Sequence, residues 1–194
     1  MNERVQKVNE RDQGRAYGTL LLAFAADPCE RWLYPDASAY VAEFPRFLEA
    51  FGGAAFSTDT AWQLDEFAAV SLWMPPGTAP DGDAIVEVLR GGVAPAKHED
   101  LLAVLDQMND AHPAFVHWYL PWFGTDPSAQ GRGRGSALMT HCLSIVDVEA
   151  VPVYLETPNP RTIPFYRRHG FDVTGTFQAG ACPPLTGMLR PAAG

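Results

Sequence analysis

The sequence has few cysteines and no apolar run long enough to cross a membrane. Its 194 residues include three cysteines, Cys29, Cys142 and Cys182, and none of them form a CxxC pair. This spacing indicates neither a zinc site nor a disulfide framework, and we expect no metal. The N-terminal segment is polar, and no apolar run reaches the roughly 18 residues of a membrane helix. We therefore expect a cytoplasmic protein with reduced cysteines and no membrane partner.

Positive charge is also scarce. The chain has 14 Lys and Arg against 23 Asp and Glu, for a formal net charge of −9. Broad nucleic-acid binding relies on clustered basic side chains that neutralise phosphates, so we expect no nucleic-acid partner. With 47% hydrophobic residues, the chain can bury one sizeable core. We expect a single domain over residues 1–194, as a monomer or a homodimer.

Two common phosphate-binding motifs are missing. There is no GxGxxG followed by a distant acidic residue and no GxxxxGK followed by Ser or Thr. The segment 126–138, DPSAQGRGRGSAL, instead places three glycines at alternate positions, separated by Arg132 and Arg134, just before an apolar-striped helix. Glycine costs a helix about 1 kcal/mol relative to alanine, and arginines oppose the positive end of the helix dipole. We therefore expect an anion at this helix start.

Hydrophobic periodicity predicts a mixed α/β chain with a strand–helix–strand crossover. Pro45 is expected to interrupt the second helix, and Pro121 to bulge its strand. The predicted strands are 5–8, 67–74, 114–125, 151–157, 171–178 and 185–190. The predicted helices are 9–27, 36–53, 85–109 with a break near 91–98, 136–146 and 159–170. The helix 136–146 is expected to bury Leu138, Met139, Cys142, Ile145 and Val146.

The glycine turn carries a family resemblance. Gln130-x-x-Gly133-x-Gly135 resembles the Q/R-x-x-G-x-G/A acetyl-CoA pyrophosphate loop of the GNAT family of N-acetyltransferases. HWYLPWFGTDPSAQGRGRGSALM and VYLETPNPRTIPFYRRHGFDVTG are similar to that family's strands and helices around the loop. LLLAFAADPCERWLYPD and WMPPG are similar to a subgroup that includes puromycin acetyltransferase. The resemblance implies the GNAT fold, a central twisted mixed sheet flanked by helices, with a CoA-binding core at about residues 116–175.

The resemblance also implies a site. Residues 130–136 would cradle the pyrophosphate of acetyl-CoA, and the strand before them would pair with its pantetheine arm. Phe123 and Thr125 could instead be plain core, and Asn159 could cap a helix rather than contact the cofactor arm. Tyr166 matches the tyrosine that protonates the departing thiolate, unless it is a core aromatic. The implied cofactor-binding residues are Phe123, Gly124, Thr125, Gln130, Gly131, Arg132, Gly133, Arg134, Gly135, Ser136, Asn159 and Tyr166.

The general base is left open between Glu156 and His117, since either could take a proton from an alkylammonium directly or through water. The remaining histidines, at 98, 112, 141 and 169, show no ligand spacing and are expected at the surface or at helix flanks. Glu43, Asp65, Glu66 and Glu87 could line a cleft for a cation or simply be solvated.

The resemblance implies an acetyl-CoA-dependent N-acetyltransferase that modifies a primary amine, expected on a small molecule, by direct attack in a ternary complex. Two alternatives stay open from the residues. One is a CoA-binding sensor or structural protein without turnover. The other is an N-acyltransferase that uses a different acyl-CoA.

Overall fold

A computed structural model describes residues 5–193, so the predicted domain also contains residues 1–4 and 194, which lie outside the described part. The strands are β1 (Val5–Lys7), β2 (Ala61–Leu64), β3 (Ala69–Met74), β4 (Trp118–Thr125), β5 (Val153–Thr157), β6 (Asp172–Phe177) and β7 (Leu185–Arg190). The α-helices are α1 (Gln13–Phe24), α2 (Pro28–Leu33), α3 (Ala37–Gly52), α4 (Ala54–Ser57), α5 (Gly82–Gly92), α6 (His98–Ala111), α7 (Arg134–Val146) and α8 (Ile163–Arg168). Short 3₁₀ turns lie at Glu10–Asp12, Pro95–Lys97, Pro127–Ala129 and Asp147–Glu149.

The strands form one mixed sheet in the order β1-β2-β3-β4-β5-β7-β6. Among the strands of residues 5–193, only β4 and β5 run parallel, and α7 is the crossover between them, as a parallel pair requires. Helices cover both faces. In β3, Val70 and Leu72 pack under α1 and α3, while Ala69 and Trp73 pack on the side of α7 and α8. The predicted mixed α/β architecture, a central mixed sheet flanked by helices, is confirmed.

Two predicted details of the helices are wrong. Pro45 lies inside α3, which continues from Ala37 to Gly52 without interruption. Proline removes the hydrogen bond to the carbonyl of Val41, but Val41 is 57% exposed, so water can solvate that carbonyl. In α7, Ile145 is 39% exposed and Leu143 is buried in its place. The sequence analysis also missed β2 and α2, which are both short.

Strand β4 carries the irregularity that Pro121 predicts. Trp122 lies opposite Leu72 of β3, but Tyr119 lies opposite Met74, so β4 has one residue more than β3 across this interval. The bulge confirms the prediction for Pro121, which has no N–H to give to a ladder. On its other side, β4 pairs with β5 only at Trp118 and Tyr119. Beyond Tyr119 the two strands separate and leave a gap in the sheet.

The described residues contain no helix that is long and apolar enough to span a membrane.

Candidate active site

A cavity of about 960 Å³ occupies the gap between β4 and β5. Its walls come from the end of α1, from α2, from the start of α7 and from α8. Arg132 and His117 are the predicted site residues that do not line it. Those that do are Phe123, Gly124, Thr125, Gln130, Gly131, Gly133, Arg134, Gly135, Ser136, Glu156, Asn159 and Tyr166.

The glycine turn forms the N-terminus of α7. Gly131 and Gly133 have positive φ angles of 71° and 81°, which glycine adopts without strain. A Cβ added at either position would meet no atom within 4 Å, so the space beside both glycines is open. Among residues 5–193, no hydrogen-bond acceptor is found for the backbone N–H groups of residues 130–136. Free N–H groups at a positive helix end form an anion-binding site.

The side chains around this turn hold its shape. The Gln130 Nε2 donates to the Thr125 carbonyl at 3.0 Å. The Arg134 Nε lies 3.3 Å from the Asp65 Oδ2, so this arginine is engaged with an acidic side chain from the turn between β2 and β3. Arg132 is exposed. The backbone N–H groups are therefore the main source of positive potential at the turn, and the two arginines lie at its edge.

Strand β4 presents an unpaired backbone edge to the cavity. Residues 122–125 pair with β3 on one side, and within residues 5–193 no strand pairs with residues 120–125 on the side of β5. Gly124 allows α1 to pack closely here, because an added Cβ would lie 2.8 Å from the Ala23 Cβ. An unpaired strand edge can accept an extended ligand through main-chain hydrogen bonds.

Tyr166 of α8 is buried and lines the cavity. Its ring packs edge-on against Phe165 and Phe171, with centroids at 5.2 and 5.8 Å. In the part of the chain that the structure describes, its hydroxyl has no hydrogen-bond partner, which leaves this donor free for a ligand. Burial, and to a lesser degree the charge of Asp27, raises the pKa of Tyr166 above its usual value. The hydroxyl therefore carries its proton at neutral pH.

Glu156 lies at the end of β5 on the opposite side of the gap. Its side chain is only 4% exposed, and the Tyr119 hydroxyl donates to its Oε2 at 2.7 Å. His112, at the C-terminal end of α6, places its Nδ1 3.8 Å from Oε1 of Glu156. The Nε2 atoms of His112 and His117 are 2.9 Å apart, and the Nδ1 of His117 lies 2.7 Å from the Phe115 carbonyl.

Between the two predicted bases, the structure therefore places Glu156 at the cavity and His117 behind His112. Burial lowers the pKa of His117, which favours its neutral form. His112 does flank a helix, as predicted, but the sequence analysis missed its contact with Glu156. Thr157 and Asn159 follow Glu156 along the cavity, and the Asn159 Oδ1 accepts from the Arg161 N–H at 3.1 Å. Asn159 thus caps the turn before α8.

The sequence analysis also missed an acidic pair at the start of α2. Asp27 and Glu30 line the cavity although they are only 5% and 4% exposed. Burial raises the pKa of Asp27 to about 6. Burial, together with the charge of Asp27, raises the pKa of Glu30 well above its usual value. Nothing local in DPCE distinguishes this pair from an ordinary helix start.

The acidic residues that the sequence did suggest have other positions. Glu43 pairs with Arg46, Glu66 with Arg15, and Asp65 with Arg134. Glu87 lies on α5, away from the gap.

Comparison with known proteins agrees with this geometry. Residues 87–173 match the acetyltransferase (GNAT) domain. The chain is 26% identical over 186 residues to an uncharacterized N-acetyltransferase of Schizosaccharomyces pombe, covering 86% of this chain and 73% of that protein. The fold and these matches define an acetyltransferase. Residues 87–173 thus resemble the GNAT domain of N-acetyltransferases, and the chain has the fold of that family.

Two solved structures show the same fold. The histone acetyltransferase HPA2 and related acetyltransferase from Corynebacterium glutamicum superposes with a TM-score of 0.69 at 25% identity, over 100% of this chain and 98% of that one. The polyamine N-acetyltransferase of Drosophila melanogaster, an enzyme that forms N-acetylagmatine, superposes with a TM-score of 0.68 at 14% identity, over 98% and 100% of the two chains.

Proposed function

We propose that this chain transfers an acetyl group from acetyl-CoA to the primary amine of a small molecule, in a ternary complex within one domain. GNAT acetyltransferases use acetyl-CoA. The observation that carries the proposal is the gap between β4 and β5. It joins a free strand edge, an anion-binding helix start and the hydroxyl of Tyr166 in a single cavity.

The residues present fit acetyl-CoA. The N–H groups of residues 130–136 would hold its pyrophosphate, since they have no acceptor in the described chain and the glycines leave open space beside them. The free edge of β4 at Phe123, Gly124 and Thr125 would pair with the amides of the pantetheine arm. Arg132 and Arg134 would add charge at the rim, and Ser136 and Asn159 would border the arm. When bound, acetyl-CoA supplies an acetyl group on a sulfur that can leave.

The nitrogen of the ammonium loses two protons during the transfer, and the sulfur gains one. Glu156 takes the first, which the ammonium must lose before it can attack. A bond then forms between the amine nitrogen and the acetyl carbon, and the bond between that carbon and sulfur breaks. Tyr166 gives its proton to the departing sulfur, because burial keeps the hydroxyl protonated, and it regains a proton from the nitrogen, which loses its second as the amide forms. His112 and His117 connect Glu156 toward the protein surface and act behind it rather than on the amine.

The acceptor is proposed as a small amine. The polyamine N-acetyltransferase of Drosophila melanogaster shares the fold, which supports testing agmatine and polyamines. The similarity of LLLAFAADPCERWLYPD to the subgroup that includes puromycin acetyltransferase supports testing nucleoside antibiotics. Aminoglycosides and peptide N-termini complete an acceptor panel, with release of free CoA thiol as the readout.

Tyr166→Phe tests the proposed reaction. The ring's packing is retained and only the proton donor is lost, so we expect unchanged acetyl-CoA affinity and a single-turnover rate lower by about 10²-fold or more. Single-turnover measurement is needed because slow product release would mask the loss.

Tyr17→Phe is the matched control. Its hydroxyl donates to Glu49 at 2.5 Å, and it does not line the cavity. This variant should lose stability but keep the single-turnover rate. A wild-type rate in Tyr166→Phe would refute the proton-donor role. A protein that binds CoA but releases no thiol with any amine of the panel would refute the transferase and indicate a binding protein.

A further inference from the structure

The start of α2 places two carboxyl groups in the cavity without a cation to balance them. Asp27 and Glu30 lie one helical turn apart and both line the cavity that Tyr166 and Glu156 share. Among residues 5–193, no lysine, arginine or histidine forms a salt bridge with either of them. A buried carboxylate without a cationic partner is strongly unfavourable. Without such a partner the two carboxyls tend to keep their protons, and a bound cation would stabilise their ionised forms.

The hydrogen bonds within the described chain also leave the two carboxyl groups incompletely satisfied. The Asp27 Oδ1 caps α2 by accepting from the N–H groups of Cys29 and Glu30, at 2.9 and 3.4 Å. The Glu30 Oε2 is buried and has no hydrogen-bond partner. Within the described residues no hydrogen bond joins the two carboxyls, so they do not satisfy one another by sharing a proton. Glu30 therefore lines the cavity and carries an acceptor that no described residue satisfies.

A group held between two carboxylates keeps its proton, because nearby negative charge favours the ammonium form. Such an ammonium cannot attack a thioester until it loses that proton. The reacting amine therefore belongs with the single carboxylate of Glu156, and the pair at α2 suits a cation that does not react. Asp27 and Glu30 line the same cavity as Glu156 and Tyr166, so one ligand in that cavity can contact both subsites.

We infer that Asp27 and Glu30 form a subsite for a second cationic group of the acceptor, so that the acceptor is a diamine or a larger polycation. This inference rests on the proposed function, since it assigns the second amine only after the first is placed at Glu156. It predicts selectivity between amines that differ only in that distal charge.

The experiment compares a monoamine with a diamine of equal chain length in two pairs. The first pair is n-butylamine and 1,4-diaminobutane, and the second is n-hexylamine and 1,6-diaminohexane. With the wild type, at least one diamine should exceed its monoamine by about tenfold or more in kcat/KM, the scale of a hydrogen-bonded charge pair. Glu30→Gln keeps the shape and removes the charge. It should abolish most of that preference through KM and change monoamine rates by less than about twofold.

Two further variants separate charge from folding. Asp27→Asn keeps a good helix cap and should reduce the preference for the diamine as Glu30→Gln does. Glu10→Gln removes an exposed carboxylate far from the cavity and should leave the preference unchanged. Equal kcat/KM for monoamines and diamines in the wild type, or equal losses for both in Glu30→Gln, would overturn the inference.

A binding readout makes the two proposals separable. Calorimetry with the diamine in the presence of CoA should show binding to the wild type and a Kd weakened by about tenfold or more in Glu30→Gln. Diamine binding that depends on Glu30 without any thiol release would support the subsite and refute the transferase. Thiol release from monoamines, with no binding advantage for diamines, would support the transferase and overturn the subsite.

Discussion

The substitution Asp27→Asn should change how the stability of this protein depends on pH. An aspartic acid in the unfolded chain has a pKa near 4, and burial raises the pKa of Asp27 to about 6 in the folded protein. The folded state therefore holds its proton more tightly than the unfolded state. For an acid shifted in this direction, the free energy of unfolding falls as pH rises between the two pKa values.

The size of the effect follows from that shift. One pKa unit corresponds to about 1.4 kcal/mol, so a shift of about two units costs the folded protein about 3 kcal/mol once the pH passes about 6. The other titratable side chains that interact with Asp27 are Glu30, Cys29, Tyr40 and Tyr166. Burial raises the pKa of both tyrosines, and the Cys182 thiol raises that of Cys29, so these three stay neutral. The pKa of Glu30 is also raised, so its titration adds to the fall in the free energy of unfolding of the wild type as pH rises.

The measurement is urea unfolding of the wild type and Asp27→Asn at a series of pH values from about 4 to about 7. Asparagine keeps the helix cap, so the two proteins should be similar near pH 4. The variant should become the more stable by about 3 kcal/mol at the upper end. Taking the difference between the two proteins cancels the titration of the groups that do not interact with Asp27.

Asp36→Asn is the control with the opposite sign. Asp36 also caps a helix, at α3, but it is exposed, and the hydroxyl of Ser38 holds its pKa below the usual value. Its stabilising contribution is present above the unfolded pKa and is lost as pH falls, so Asp36→Asn should not gain stability at neutral pH. A stability difference between wild type and Asp27→Asn that stays constant from pH 4 to 7 would refute the burial argument.

Two other variants test the cofactor turn and the base. Aspartate and asparagine have nearly the same shape, and both tolerate the positive φ of 81° at position 133. Gly133→Asp should therefore weaken CoA binding, measured by calorimetry, about tenfold more than Gly133→Asn does. Equal affinities of the two variants would argue against an anion at this turn. Glu156→Gln should lower the single-turnover rate by about 10²-fold at neutral pH and leave CoA affinity unchanged, whereas the exposed Glu99→Gln should have no effect. A Glu156→Gln rate equal to wild type would exclude this carboxylate as the base.

Local sequence signals predicted the parts of the site that lie close together in the chain. Residues 126–138 show both the glycine turn and the helix that follows it, because glycine spacing and helical periodicity are short-range patterns. Pro121 predicted the bulge for the same reason, since the missing N–H is a property of that residue alone. The separation of β4 from β5 starts just before this bulge.

The burial of Asp27 and Glu30 could not be predicted from such short-range patterns. The segment DPCE reads as a helix start, with a capping aspartate and a proline in the first turn, and the structure confirms that local role. Its burial involves segments distant in sequence, since Cys29 packs against the cluster that contains Val104, Cys182 and Leu185. His112 is similar, since its distance to Glu156 depends on where the end of α6 lies relative to β5, which no local pattern encodes.

The bulge at Pro121 also has a mechanical consequence. In the described chain, β4 and β5 pair only at Trp118 and Tyr119. The sheet therefore consists of two parts, β1 to β4 and β5 to β7, that are joined at one end of this boundary. Helix α7 runs from the free end of the gap back along β2, β3 and β4. A ligand that hydrogen-bonds to the open edge of β4 would fill the gap and connect the two parts of the sheet, so ligand binding would stiffen the sheet where it is now divided.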